Sequence, residues 1–462
     1  MFNQKTLTMT EQKRTQAAGM AFMGMIFFLF GFVTTFNITL ADKFKAVFDL
    51  SNAEAQLVNG AFFFTYFVLS FAAGGIIKRI GYKGGVILGL LLVAAGSFLF
   101  FPAAKALSFP FFLFAIFIMA GGVVFLQVAA NPYVTALGPS ETASGRLNLT
   151  QALNSIATYI APIIASVFVF KTVAESALNA AEVADVLTPA EAAKSVPAPF
   201  LIIAVIVIII AVAVYLLKLP EISTKGVERK SVWKYPHVIL GAVAIFFYVG
   251  AEVGSAAMLQ RYFQEALSIA QSDAAAMIAL YWGGAMVGRL YGSFMLSNVE
   301  KSKKYLYAIL VLGLALFVGW FVRYEITDGL IFAAIALVNY LAMQLGRGNA
   351  SRSLAVFGLI AAALLLVVML ANGPVILWLG LSIGFFNSIM FPNIFALGVD
   401  GLDKGELSMA SGLINMLIVG GAVIPVLMGL IADGMGVRYA FILPVICYLY
   451  IVYYALVGSK HK

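Results

Sequence analysis

Long apolar runs alternate with short polar connections along almost the whole chain. They fall at about 17–40, 54–77, 85–102, 109–136, 148–170, 198–217, 237–260 and 274–296, then at about 305–322, 329–345, 354–371, 375–398, 407–431 and 438–457. A hydrocarbon core about 30 Å thick is crossed by about 20 residues of helix, so the pattern predicts an all-α membrane protein with about fourteen transmembrane helices. The first run exceeds the apolar region of a signal peptide and no small-residue cleavage pattern follows it, so it is expected to stay as the first span. Two hydrophilic stretches interrupt the series, 171–199 and 220–236. The second separates six spans from eight and sets the expected organisation: an N-terminal bundle 1–218, a linker 219–235 and a C-terminal bundle 236–462.

Charge orients the chain. With both termini placed in the cytoplasm, most Lys and Arg fall in cytoplasmic segments, among them Lys225, Arg229, Lys230 and Lys234 of the linker, as the positive-inside rule requires. The formal charge of +8 then lies beside anionic membrane lipid, and no soluble module concentrates it for nucleic acid. Hydrophobic residues make up 62% of the chain against 11% charged, with mean hydropathy +1.00, which no soluble domain could bury. One cysteine, Cys447, excludes a disulfide within the chain, and with only two histidines a structural zinc site is not expected. No His-Glu-x-x-His, Gly-x-Ser-x-Gly or P-loop string appears. The chain is not expected to be an enzyme or to hold a cofactor.

A repeat joins the two parts. Asn131-Pro132-Tyr133-Val134-Thr135-Ala136-Leu137-Gly138 echoes Phe391-Pro392-Asn393-Ile394-Phe395-Ala396-Leu397-Gly398. Each is followed by a polar loop and a helix, carrying Asn154 and Ala161-Pro162 in one copy and Asn415 and Ile424-Pro425 in the other. Phe27-Phe28 with Gly31 likewise matches Phe246-Phe247 with Gly250. Duplicated six-helix units are the pattern of major facilitator transporters. Against that repeat the second part has two spans too many, which reads as a hairpin inserted at about 305–345.

The strings Gln127-Val128-Ala129-Ala130-Asn131-Pro132-Tyr133 and Arg146-Leu147-Asn148-Leu149-Thr150-Gln151-Ala152-Leu153-Asn154-Ser155 resemble the fucose and glucose/galactose symporter branch of that superfamily. Gly250-Ala251-Glu252-Val253, Gly288-Arg289 and Asn387-Ser388-Ile389-Met390-Phe391-Pro392 extend the similarity to the second part. The resemblance implies a monomeric inner-membrane transporter that imports a hexose or aminosugar with a cation. Amide side chains offer one acceptor and two donors to vicinal hydroxyls, while an aromatic ring covers an apolar sugar face. The family pattern carries Asn37, Gln127, Gln151 and Asn154 to the sugar site; Asn59 and Asn387 add amides, and Trp282 is the aromatic candidate. Gln151 and Asn154, three apart, share a helix face. Buried amides also join helices without touching a solute. Asn131 beside Pro132 reads as a structural break whose amide caps freed backbone groups. A multidrug exporter of the same fold and a non-transporting sugar sensor are the rival readings.

Glu252 stands midway along an apolar stretch, where an ionised group costs about 2.5 to 3.5 kcal/mol and usually faces a cavity, a partner or a transported ion. Fucose-type members carry acids at the positions held here by Ile38 and Gln127, so Glu252 is the expected coupling residue, with Asp42 read as interfacial. Loss of two titratable groups inclines the reading to sodium over a proton, with Thr34, Thr35 and Ser255 as neutral ligands; pairing of Glu252 with Arg289 is the plain alternative. The string Gly74-Gly75-Ile76-Ile77-Lys78-Arg79-Ile80-Gly81-Tyr82-Lys83 fits the superfamily's conformational lock, with Lys78 where an Asp is usual. Arg289 is assigned to the matching lock in the second part, snorkelling being an equally physical account.

Overall fold

The computed structural model describes residues 9–39, 52–178, 197–216, 231–403 and 405–460, and among them there is helix and no strand. Asp42, most of the 171–199 stretch and residues 217–230 of the linker region lie outside the described residues. The first part holds α1 (Met9–Thr39), α2 (Asn52–Ala106), α3 (Phe109–Ala136), α4 (Ala143–Leu178) and α5 (Pro197–Leu216). The apolar stretch 60–106 of α2 counts 47 residues. At 1.5 Å per residue that is about 70 Å, more than twice a hydrocarbon core, so it holds two crossings. The joint is Gly81, at φ 79° and ψ 167°, a backbone region that in practice only glycine enters. Helix α3 starts on Ser108, whose hydroxyl accepts from the Phe111 amide at 3.4 Å, and continues through Pro132. The Asn131 amide does not cap that proline break: both of its polar atoms are buried without a partner among the described residues.

The second part holds α6 (Pro236–Leu267), α7 (Gln271–Met295), α8 (Lys301–Arg323), α9 (Ile326–Leu345) and α10 (Ala350–Leu370). A single predicted span, 375–398, is two helices, α11 (Val375–Asn387) and α12 (Met390–Val399), parted at Ser388 and Ile389. The next is α13 (Leu407–Met416) and α14 (Gly420–Met435) around a 3-10 turn, Leu417–Val419. α15 (Val437–Ala440) and α16 (Ile442–Tyr453) end in a π-helical turn, Tyr454–Gly458. Eleven stretches among the described residues are long and apolar enough to cross a membrane.

Packing repeats between the parts. In the first, α1 lies on α4 and α2 on α5; in the second, α6 lies on α14 and α10 on α16. Gly31 allows the first approach, since a Cβ there would strike the Asn154 side chain and carbonyl. Gly250 does the same for α6, where a Cβ would meet Ile424 and the Gly420 carbonyl. The α8–α9 pair packs on itself and on α7. Arg323 closes its turn with a two-pronged pair to the buried Asp328, at 2.6 and 2.8 Å. Its outer faces present Leu306, Ile309, Leu310, Phe317, Leu337 and Leu341, a surface suited to lipid.

The two parts meet on the side where the described chain begins. There α2 crosses α13 at Gly74, whose added Cβ would come within 2.5 Å of the Ser408 carbonyl, and α4 crosses α7 at Gly145 against Leu296 and Ser297. Asn148 of α4 donates to the Asn393 side chain of α12 at 3.3 Å, and Asn393 donates to the Ala350 carbonyl at 3.1 Å. Lys78 and the exposed Arg79 lie on this same side, one turn past Gly74.

Candidate functional site

A cavity of about 180 Å³ opens between the two parts, above that contact. Helix α4 contributes Gln151, Asn154 and Thr158, which follow one another at helical spacing and so share a face. Asn154 is pinned: its amide donates to the Phe27 carbonyl on α1 at 3.0 Å across Gly31, which leaves its carbonyl oxygen for the cavity. Gln127 of α3 reaches the wall beside Tyr66 of α2 and is hydrogen-bonded to it. Thr34 and Thr35 line the α1 side, and the Thr34 hydroxyl is without a partner among the described residues. Rings of Phe30, Phe62, Phe63, Tyr248 and Phe391 complete the wall. Polar groups and most of the rings therefore come from the first part, and the second adds Tyr248, Phe391 and a charge pair.

That pair is Glu252 and Arg289. Glu252 Oε1 accepts from Tyr248, one turn back on α6, at 2.7 Å and lies 3.6 Å from Arg289 Nη2. Both side chains are about nine-tenths buried. Arg289 Nε donates to the Ser388 carbonyl at 3.1 Å, and Nη1 donates to the Ser155 hydroxyl on α4. A tyrosine and amide layer lies behind: Tyr281 donates to the Glu252 carbonyl at 2.9 Å, Asn387 donates to Tyr281, and Tyr448 donates to Asn387 Oδ1 at 2.7 Å.

Of the residues expected from the sequence, Gln127, Gln151, Asn154, Thr34, Thr35, Glu252 and Arg289 meet at one cavity. Asn387 and Trp282 do not reach its wall. Asn387 is spent on Tyr281 and Tyr448, and Trp282 stacks edge-on against Tyr281 at 5.4 Å between centroids. Ser255 is fully buried behind Glu252 near Tyr448, so the three hydroxyls expected with sodium do not converge on the carboxylate. Arg289 turns into the cavity instead of toward an interfacial lock. Asn37 and Asn59 belong to α1 and α2, but their side chains lie outside the described residues. Sequence reasoning missed Thr158, although its spacing from Asn154 offered a signal, and the aromatic wall, which offered none among 39 phenylalanines.

Comparison with known proteins adds the following. The profile of the Major Facilitator Superfamily matches residues 20–349. The chain is 36% identical over 460 residues to a glucose/galactose transporter of Brucella abortus biovar 1, covering 98% of this chain and 97% of that one. It is 29% identical over 471 residues to the L-fucose-proton symporter of Escherichia coli K12, covering 97% and 95%. Among solved structures, FucP, a Major Facilitator Superfamily transporter in the outward conformation, superposes with a TM-score of 0.73 at 27% identity, over 97% of this chain and all of that one.

Proposed function

From the premise that this chain belongs to the Major Facilitator Superfamily, we propose that it imports a monosaccharide by proton symport through alternating access. The observation that carries the reading is the row of Gln151, Asn154 and Thr158, with Gln127, facing aromatic rings in one small cavity between two packed bundles. Amides match vicinal hydroxyls and rings cover the apolar face of a sugar. Substrates of this chemistry are hexoses such as glucose, galactose, mannose or fucose, or an aminosugar. Glucose, galactose and fucose are the sugars named for the similar transporters.

A proton is the better coupling ion. Ser255, one of the hydroxyls a sodium ion would need, lies behind Glu252 and off the cavity wall, and the fucose symporter among the similar proteins is named a proton symporter. Fourteen crossings account for the helices when α2 is counted twice and α4 and α7 are added to the eleven apolar stretches, with bundles 1–218 and 236–462 joined by 219–235. Because α10 packs on α16 as α2 packs on α5, α10 has a counterpart in the first bundle and α8–α9 has none, which supports an inserted hairpin at 305–345. Basic residues favour cytoplasmic termini in an inner membrane.

Uptake into proteoliposomes tests the reading, using labelled hexoses and aminosugars under imposed proton or sodium gradients. Accumulation driven by an inward proton gradient and abolished by a protonophore is expected. Glu252→Gln keeps the size of the side chain and removes its charge, so sugar exchange should persist while accumulation disappears. Binding without flux would favour a sensor, and movement of unrelated amphiphiles an exporter. The cavity speaks against the exporter, being smaller than the roughly 300 to 1,000 Å³ of pockets for drug-sized ligands.

A further inference from the structure

Arg289 is the single basic residue on the cavity wall among the described residues. Its donors divide unequally. Nε on the Ser388 carbonyl uses an acceptor freed by the break between α11 and α12. Nη1 meets Ser155, whose own hydrogen goes to the Gln151 carbonyl at 3.0 Å, so the hydroxyl lone pairs face Arg289. Nη2 stands 3.6 Å from Glu252, beyond hydrogen-bond length, and the guanidinium is also hydrogen-bonded to Tyr248. The same carboxylate oxygen already accepts the Tyr248 hydroxyl at 2.7 Å. Contacts to Ser388, Ser155 and Tyr248 thus anchor the guanidinium, and the fourth depends on Glu252 being ionised.

A guanidinium keeps its charge at every accessible pH and has five N–H donors to place. Once Glu252 takes a proton, the attraction on Nη2 is gone and its donors require another oxygen. A sugar hydroxyl in the cavity supplies one. We propose that Arg289 is a sugar-binding residue gated by Glu252: paired with the carboxylate when it is ionised, and donating to a sugar hydroxyl when it is protonated, with Ser155 and the Ser388 carbonyl as fixed anchors. The proposal rests on Glu252 being the proton site. It explains how proton and sugar favour one another without touching, because one side chain reports the first to the second, and linkage makes the effect mutual. The titratable groups facing Glu252 are Tyr248 on its own helix, Arg289 and Tyr281 on α7 and Tyr448 on α16, with Tyr66 across the cavity. Glu252 is the one carboxylate on the wall among the described residues.

The test is sugar affinity of the purified full chain for D-glucose, D-galactose and L-fucose, followed from acid to alkaline pH. Affinity of the parent should rise as pH falls. Glu252→Gln should bind tightly at every pH, and a profile like the parent's would remove the Glu252 reading and leave Arg289 unlinked to it. Arg289→Gln should bind at least about tenfold more weakly, as expected for a lost charged hydrogen bond, with a flat pH profile. Its Glu252 should still titrate, seen as the carboxyl stretch in the infrared. An Arg289→Gln protein whose affinity still climbs with acid overturns the proposal while Glu252 stands. Should that variant fail to fold, monodeoxy sugars on the parent give the same answer. The analogue lacking the hydroxyl that meets Arg289 should bind with little pH dependence, and equal dependence across all analogues would overturn the proposal.

Discussion

Gln151 and Asn154 sit one turn apart on the same face of α4, yet their surroundings differ. Gln151 points its amide into the cavity, whereas Asn154 also ties α4 to the Phe27 carbonyl of α1. Gln151→Ala should therefore weaken sugar binding by about 1 to 3 kcal/mol with little change in thermal unfolding. Asn154→Ala should do both, lowering affinity and the unfolding temperature, and calorimetry beside a binding titration separates the two. What was legible here was depth and face. Spacing put Gln151 with Asn154, and the acid at mid-span singled out Glu252. Azimuth was not legible for Arg289, because a basic residue near a helix end has the same spacing whether it bends to the interface or toward a buried acid. Asn387 misled for a related reason: an amide in an apolar helix reads alike whether a sugar or, as here, two tyrosines satisfy it.

Helix α2 isolates a backbone effect from packing. A Cβ at Gly81 would meet nothing within 4 Å, so Gly81→Ala introduces no clash, but it forces φ 79°, ψ 167° on a residue that avoids it. The expected cost is about 1 to 3 kcal/mol of stability. Sugar affinity should stay unchanged, since Gly81 is remote from the cavity wall; loss of affinity in a folded Gly81→Ala protein would contradict this. At this scale apolar run length foretold where most helices lie. The break between α11 and α12 had a sequence signal that went unused: Pro392, four residues past Ser388, has no N–H to return to the Ser388 carbonyl, and Arg289 donates to that carbonyl instead.

Across the whole molecule, the bundles touch on one side of the cavity through small residues and the Asn148–Asn393 hydrogen bond, and at the cavity through the Arg289–Ser155 bond. Alternating access requires those contacts to part. Cysteines replacing Asn148 and Asn393, joined by a short bifunctional reagent, should hold that side shut, so that sugar still binds from the other side while transport stops. Cleaving the linker should restore flux, and full transport in the crosslinked protein would refute the rocking motion. The repeat made this arrangement readable in advance, since Gly31 and Gly250 occupy matching crossings. The α8–α9 pair, flanking α7, adds exposed Leu, Ile and Phe to the described lipid-facing surface of the second bundle. Under the proposed alternating access, lipid viscosity and lateral pressure should act more strongly on a bundle broadened in this way, so that relative to the membrane plane α1 to α5 are expected to make most of the swing.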